Sequence, residues 1–381
     1  MSERVEVRPE LLRWAITRSG KTPDDYAVRF PLLGAWMRAE SAPTLKQLEA
    51  FASATYAPIG FLLLHTPPKE RIPIPDFRTI AHRQTKQPSP NLLDTIYICQ
   101  QRQEWYRDIA RVHGAKRLPF VGSVKVGDDV IATARAIRKA LGYGLDAQRK
   151  ASTWTDALRA FIERADDAGI MVMTNGVVLN NNNRTLDPDE FRGFALVDEL
   201  APVIFINGAD TKSAQMFTLA HELAHVWIGA TAVSDVEADR TPSNDTEKWC
   251  DRVAAELLVP MAELNKEYDR DAPQAKEAAR LARIYKVSTL VILRRMHDAG
   301  GLTRGELRKA YEAEVKRLRA IEKGSGGNFY ATQAARVSKR FARSLVLSTL
   351  EGQTLYRDAF RLLGFAKVDT FHKLATSLGV S

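Results

Sequence analysis

Two histidines four residues apart, His221 and His225, enclose Glu222-Leu223-Ala224 and put the strongest constraint on this chain. For both rings to face one way, residues 214–228 must form a helix, because positions 221 and 225 then lie one turn apart on one face. Leu219, Leu223 and Ala224 supply the packing side of that helix. A second helix is predicted from Glu247 through Leu258, with Thr246 placed to cap it. Glu247 falls in its first turn, and Asp251 falls one turn on along the same face. The fold must therefore bring two helices together across a pair of imidazoles.

That pairing carries a specific chemistry. Two imidazoles and the Glu247 carboxylate make a three-ligand set for zinc, leaving one position for solvent. Glu222 lies beside the rings, placed to take a proton from water activated by the ion and to pass it to a leaving amine. Asp251 is placed to accept the distal N–H of a ligand imidazole, which fixes tautomer and orientation. Glu256 is the rival third ligand. It lies nine residues past Glu247, where helical rotation carries it to the opposite face, so Glu247 is the expected ligand. Cys250 stands three residues from Glu247, and two readings are open: a packed cysteine, or a group that touches the metal.

Composition narrows the setting. With 381 residues, of which 45% are hydrophobic, the chain can bury a substantial core, and two or three domains are expected. Two cysteines, Cys99 and Cys250, make no disulfide scaffold, and a reducing compartment suits them. No signal-like amino terminus and no long apolar run is present, so a cytoplasmic location without membrane association is expected. The formal charge of +9 gathers toward the carboxyl end, where residues 301–381 hold 15 Lys/Arg against 7 Asp/Glu. Nucleic acid, an acidic partner or plain solvated helices account for that excess equally.

Residues 9 to about 65 read as short helices with brief turns. Pro9 and Pro23 suit first helical positions, and Asp24 and Asp25 favour the positive end of a helix. This stretch resembles a shortened repressor-type helix-turn-helix module on Trp36, Pro43, Thr44, Gln47 and Leu48. The resemblance implies DNA contact or a docking role. Arg38 is the only basic residue on the expected reading helix, residues 31–40, which leaves few side chains for base edges. Pro67, Pro68, Pro73 and Pro75 mark a stiff linker. Helices are predicted over 91–113, 130–141 and 153–167, with an extended piece over 120–126. Strands are predicted over 169–174, 191–197 and 202–206, forming a small sheet whose edge suits an extended peptide backbone. Asn180 to Asn183 read as a loop. Residues 278–300 read as two helices bracing the site, and 332–381 as amphipathic helices with Arg336, Lys339, Arg340 and Arg343 grouped on the first. Tyr330 is read either as a hydroxyl that stabilises a tetrahedral oxyanion or as a hinge aromatic.

The stretch Thr218-Leu219-Ala220-His221-Glu222-Leu223-Ala224-His225 resembles the ImmA/IrrE family of zinc peptidases. So do Glu247 to Asp251 and Ala254-Ala255-Glu256-Leu257-Leu258-Val259-Pro260. That family usually carries Ala and Asn where this chain has Cys250 and Asp251, and Asp preserves an acceptor for imidazole. The resemblance implies a site-specific endopeptidase acting on a transcriptional repressor or an antitoxin-like protein. The expected architecture is α+β and mostly helical: a helix-turn-helix-like domain (1–66), a linker (67–90), a zincin-like metallopeptidase domain with a small β-sheet (91–300) and a helical extension (301–381). The competing expectation is a DNA-binding regulator, or a toxin–antitoxin component, whose metal site is structural. Such a closed site needs a fourth protein ligand, and Cys250 is the nearby candidate.

Overall fold

The computed structural model describes residues 4–76, 88–234, 244–319 and 334–380. These divide into two units, one of residues 4–73 and 88–96, the other of residues 74–76 and the described residues from Tyr97 on. In the first, α1 (Pro9–Arg18), α2 (Asp24–Ala27), α3 (Leu33–Met37) and α4 (Leu45–Thr55) enclose Leu11, Leu12, Trp36, Leu48 and Phe51. Thr44 and Gln47 cap α4 reciprocally, satisfying two orphan N–H groups. Tyr26, Phe30 and Trp36 surround Phe51 at ring separations of 5.5–6.5 Å. The helix around Trp36 is five residues long, and Arg38 just past its end is held by Glu40 at 2.7 Å.

The second unit is mostly helical around one small mixed sheet. The helices before the sheet are α5 (Pro90–Val112), which belongs to this unit from Tyr97 on, α6 (Val130–Leu141), α7 (Leu145–Lys150) and α8 (Trp154–Asp167). In chain order the strands are β1 (Met171–Asn175), β2 (Val177–Val178), β3 (Asn181–Thr185), β4 (Gly193–Leu196), β5 (Val203–Asn207) and, after α9 (Lys212–Ile228), β6 (Ala232–Ser234). The main sheet runs β1-β5-β4-β6, with β1 and β5 parallel and the other pairs antiparallel. β2 and β3 form a separate hairpin, so the asparagine-rich stretch read as a loop is a strand from Asn181 on. Leu179 at φ 53° turns the chain tightly enough to pair two polar segments that no apolar alternation marks. Residues 120–126, expected to be extended, instead form turns that cover the end of α9. Gly122 N donates to Val226 O at 3.1 Å and Val124 N to Trp227 O at 3.2 Å, while Phe120 stacks on Trp227.

After α9 come α10 (Asp245–Leu258), α11 (Met261–Glu267), α12 (Gln274–Tyr285), α13 (Thr289–Asp298) and α14 (Arg304–Arg319). They are followed by α15 (Lys339–Leu350), α16 (Tyr356–Leu363) and α17 (Val368–Ser377). Among the described residues no helix is long and apolar enough to cross a membrane. Every residue of α9 from Gln215 to Trp227 is buried, the pattern of a helix enclosed on all sides.

Three of the four basic residues grouped near Arg340 are used inside this unit. Arg336 donates to Asn180 Oδ1 at 2.7 Å, Arg340 to Asp166 O at 2.6 Å, and Arg343 to Leu378 O at 3.0 Å. Asp166 is the hub: its carboxylate accepts from Ser338 Oγ at 2.8 Å, Arg340 N at 2.9 Å and Val172 N at 3.1 Å. Burial pushes this carboxyl above its ordinary range, and those three donors pull it back. Asp166→Ala strands all three, so urea unfolding should show a loss of about 3 kcal/mol.

Candidate metal centre

The site begins with two caps. Thr211 accepts from Ala214 N and starts α9 two residues earlier than periodicity alone suggests. Asn244, rather than the expected Thr246, caps α10: its side chain accepts the N–H of Thr246 at 2.8 Å, and Thr246 lies inside the helix. An Asn before an acidic first turn was an available N-cap signal. The helices pack so that His221 and His225 on α9 meet Glu247 on α10.

His221 Nε2 and His225 Nε2 are 3.0 Å apart. Glu247 closes the triangle, with one oxygen 3.2 Å from His221 Nε2 and the other 3.0 Å from His225 Nε2. Ligand atoms of the three residues all lie within 4.8 Å of one another, and all three residues are buried. Asp251, one turn past Glu247, accepts from His221 Nδ1–H at 2.9 Å. That bond fixes the tautomer and leaves Nε2 facing the other two groups. Glu256, the rival ligand, points elsewhere: it pairs with Arg295 at 2.5 Å and accepts from Met261 N. Cys250 is buried in the hydrophobic core and is not in the three-residue group. Burial lifts its thiol well above the ordinary range, which makes it an inert packing residue. Tyr330 lies outside the described residues.

The electrostatics fit a cation at this point. Burial opposes the charge on Glu247, yet the imidazoles, His221 foremost, hold its carboxyl at about 2. Burial also disfavours a proton on His221, but Glu247 and Asp251 together lift it well above the usual imidazole range. His225 is lowered, chiefly by burial. Among the described residues no Lys or Arg forms an ion pair with Glu222, Glu247 or Asp251. Buried carboxylates need compensation, and a divalent cation held by the two imidazoles and one carboxylate would supply it.

Glu222 is fully buried beside the ligand triangle. Burial raises its carboxyl to about 8, helped by the Glu247 charge and opposed by His221 and the Ser234 hydroxyl. Ser234 belongs to β6, a three-residue strand that sequence reading misses because it is too short to show a period. Gly193 on β4 is opposite Ser234 in the ladder. A Cβ there would lie 2.5 Å from Thr218 Cγ2, 2.9 Å from Phe205 O and 3.2 Å from Glu222 Oε1. A glycine inside a strand pattern signals such a close approach, so this wall of the site was detectable. Gly193→Ala should lower stability by about 1–3 kcal/mol. By moving Glu222, it should also reduce hydrolysis, by about 100-fold for a displacement near 1 Å. Thermal unfolding and steady-state rates measure the two effects separately.

A buried helix with two imidazoles, a carboxylate from the next helix and a second acid alongside is the layout of a metallopeptidase. Residues 165–297, which carry all of it, match the peptidase family M78 model described as the IrrE N-terminal-like domain. The match supports a metallopeptidase-type function and the ImmA/IrrE family for this segment. Residues 337–377 match a second model, described as a domain of unknown function. No curated protein matches the chain.

Proposed function

We propose that the chain is a zinc-dependent site-specific endopeptidase that cuts a regulatory protein, such as a transcriptional repressor or an antitoxin-like partner. The observation that carries this reading is the convergence of His221, His225 and Glu247, and of no fourth ligand among the described residues, beside the buried acid Glu222. Three protein ligands leave a coordination position open, as catalytic rather than structural zinc sites do. A bound zinc ion supplies Lewis acidity, favouring deprotonation of water and polarising a peptide carbonyl.

The chain's own groups do the rest. His221 and His225 present Nε2 to the ion, with Asp251 holding the His221 ring through Nδ1–H. Glu247 contributes the third ligand and the negative charge. Glu222 accepts a proton from the attacking water at a carboxylate oxygen and returns it to the departing amide nitrogen. Burial raises its affinity for that proton, which suits it to take one up and hold it until transfer. The amino-terminal unit, through its repressor-like resemblance, is proposed to dock the protein substrate or DNA.

The test is co-incubation of the purified, zinc-loaded chain with candidate repressors, with and without a chelator. Mass spectrometry should find a single cleavage that the chelator stops and added zinc restores. Metal analysis that finds four protein ligands, or cleavage indifferent to the chelator, would defeat this reading.

A further inference from the structure

The sheet ends at β6, and its outer edge is not bare. Val233 N donates to Pro75 O at 3.0 Å, and Asp76 lies beside Val233 in a parallel bridge. The chain's own segment Ile74–Asp76 therefore adds to the sheet as an incipient fifth strand. The neighbouring residue of β6, Ser234, has Gly193 as its ladder partner, and a Cβ on Gly193 would lie 3.2 Å from Glu222 Oε1. The edge of β6 is thus the sheet edge next to the proposed proton carrier. An extended peptide binds such an edge by adding a strand.

We propose that Ile74–Asp76 is a built-in competitor that occupies the peptide-binding edge until a substrate displaces it. The proposal rests on the endopeptidase reading of the site. The chemistry of the segment suits a weak occupant. Pro75 carries no N–H, so at that position the segment offers only a carbonyl acceptor to the edge. A substrate strand without proline there brings both donors and acceptors and gains the pairing this segment lacks. Occupancy also excludes unfit partners, because a short or proline-rich peptide wins nothing by displacing it. A cover that only protects an exposed edge from aggregation would look similar at rest but would not exchange with ligand.

The experiment uses the full zinc-loaded chain and a second full chain in which residues 72–76 are replaced by an alternating Gly/Ser stretch of equal length. The probe is a fluorescein-labelled peptide hydroxamate of four apolar residues, followed by anisotropy. Acetohydroxamate, too small to reach the edge, serves as the control for an open metal position. The probe should bind the replaced chain about tenfold more tightly, the factor that about one net hydrogen bond is worth. Acetohydroxamate should bind both chains equally. In the unmodified chain, saturating probe should speed tryptic cleavage after Arg71, as the segment leaves the edge, and this decides the matter alone if the replaced chain folds poorly. Equal probe affinity with unchanged tryptic cleavage after Arg71 overturns the proposal while leaving the endopeptidase reading intact. Failure of acetohydroxamate to bind either zinc-loaded chain removes that reading, and the competitor with it.

Discussion

Replacing Glu222 by Gln is expected to leave the metal content unchanged and to lower the rate of peptide hydrolysis by about 10²–10⁴-fold, the range of a positioned general acid–base group. The two properties separate because Glu222 stands beside the ligand triangle but outside it. Gln has nearly the same shape, so the walls made by Thr218, Gly193 and Ser234 need not move. It also removes an ionisable group whose charge burial already opposes, so the fold should not weaken. Elemental analysis, thermal unfolding and single-turnover cleavage together check all three statements. A Gln variant that cleaves at the normal rate would move the proton-transfer role to another group.

The second large effect comes from comparing two glutamates on one helix. Glu247→Ala should cost more than about 100-fold in zinc affinity, since even an outer partner of a metal ligand is worth 10–100-fold. Hydrolysis should disappear with the metal. Glu256→Ala should keep zinc and instead lose stability. It takes from Arg295, which is 6% exposed, the nearer of its two carboxylate partners and leaves Asp298 at 3.6 Å. Removing one member of such a buried pair costs about 3–5 kcal/mol. Zinc titration and denaturant unfolding of both variants should therefore give opposite patterns. Loss of zinc from the Glu256 variant alone would reverse the ligand assignment.

That contrast also shows what periodicity can reveal. A helix rotates by a fixed angle per residue, so the sequence separates the Glu247 face from the Glu256 face, and the structure brings Glu247 to both imidazoles. The mostly helical α+β class follows from the same kind of signal, as do the main strands over Met171–Asn175, Gly193–Leu196 and Val203–Asn207. What escaped reading depends on pairing across long separations. β6 has three residues, and its meaning comes from Gly193 opposite Ser234 and from Pro75 beyond Val233. The β2–β3 hairpin is polar on both strands and is set by one tight turn at Leu179. The basic group around Arg340 reads as surface charge until Asp166, 174 positions earlier, supplies its partner. Gly193 is the intermediate case, since glycine within an apolar strand hints at close approach without naming the neighbour.

The turns at 120–124 bear on how this protein is best handled in the laboratory. They stack Phe120 on Trp227 and donate to the last carbonyls of the helix that carries both histidines. A recombinant fragment trimmed to the matched span, 165–297, would shed that clasp. Such a piece would bare an indole and fray the helix one turn from His225, so it should bind zinc loosely and precipitate. Fragments that begin before Phe120 keep the clasp and are the better starting point for purification.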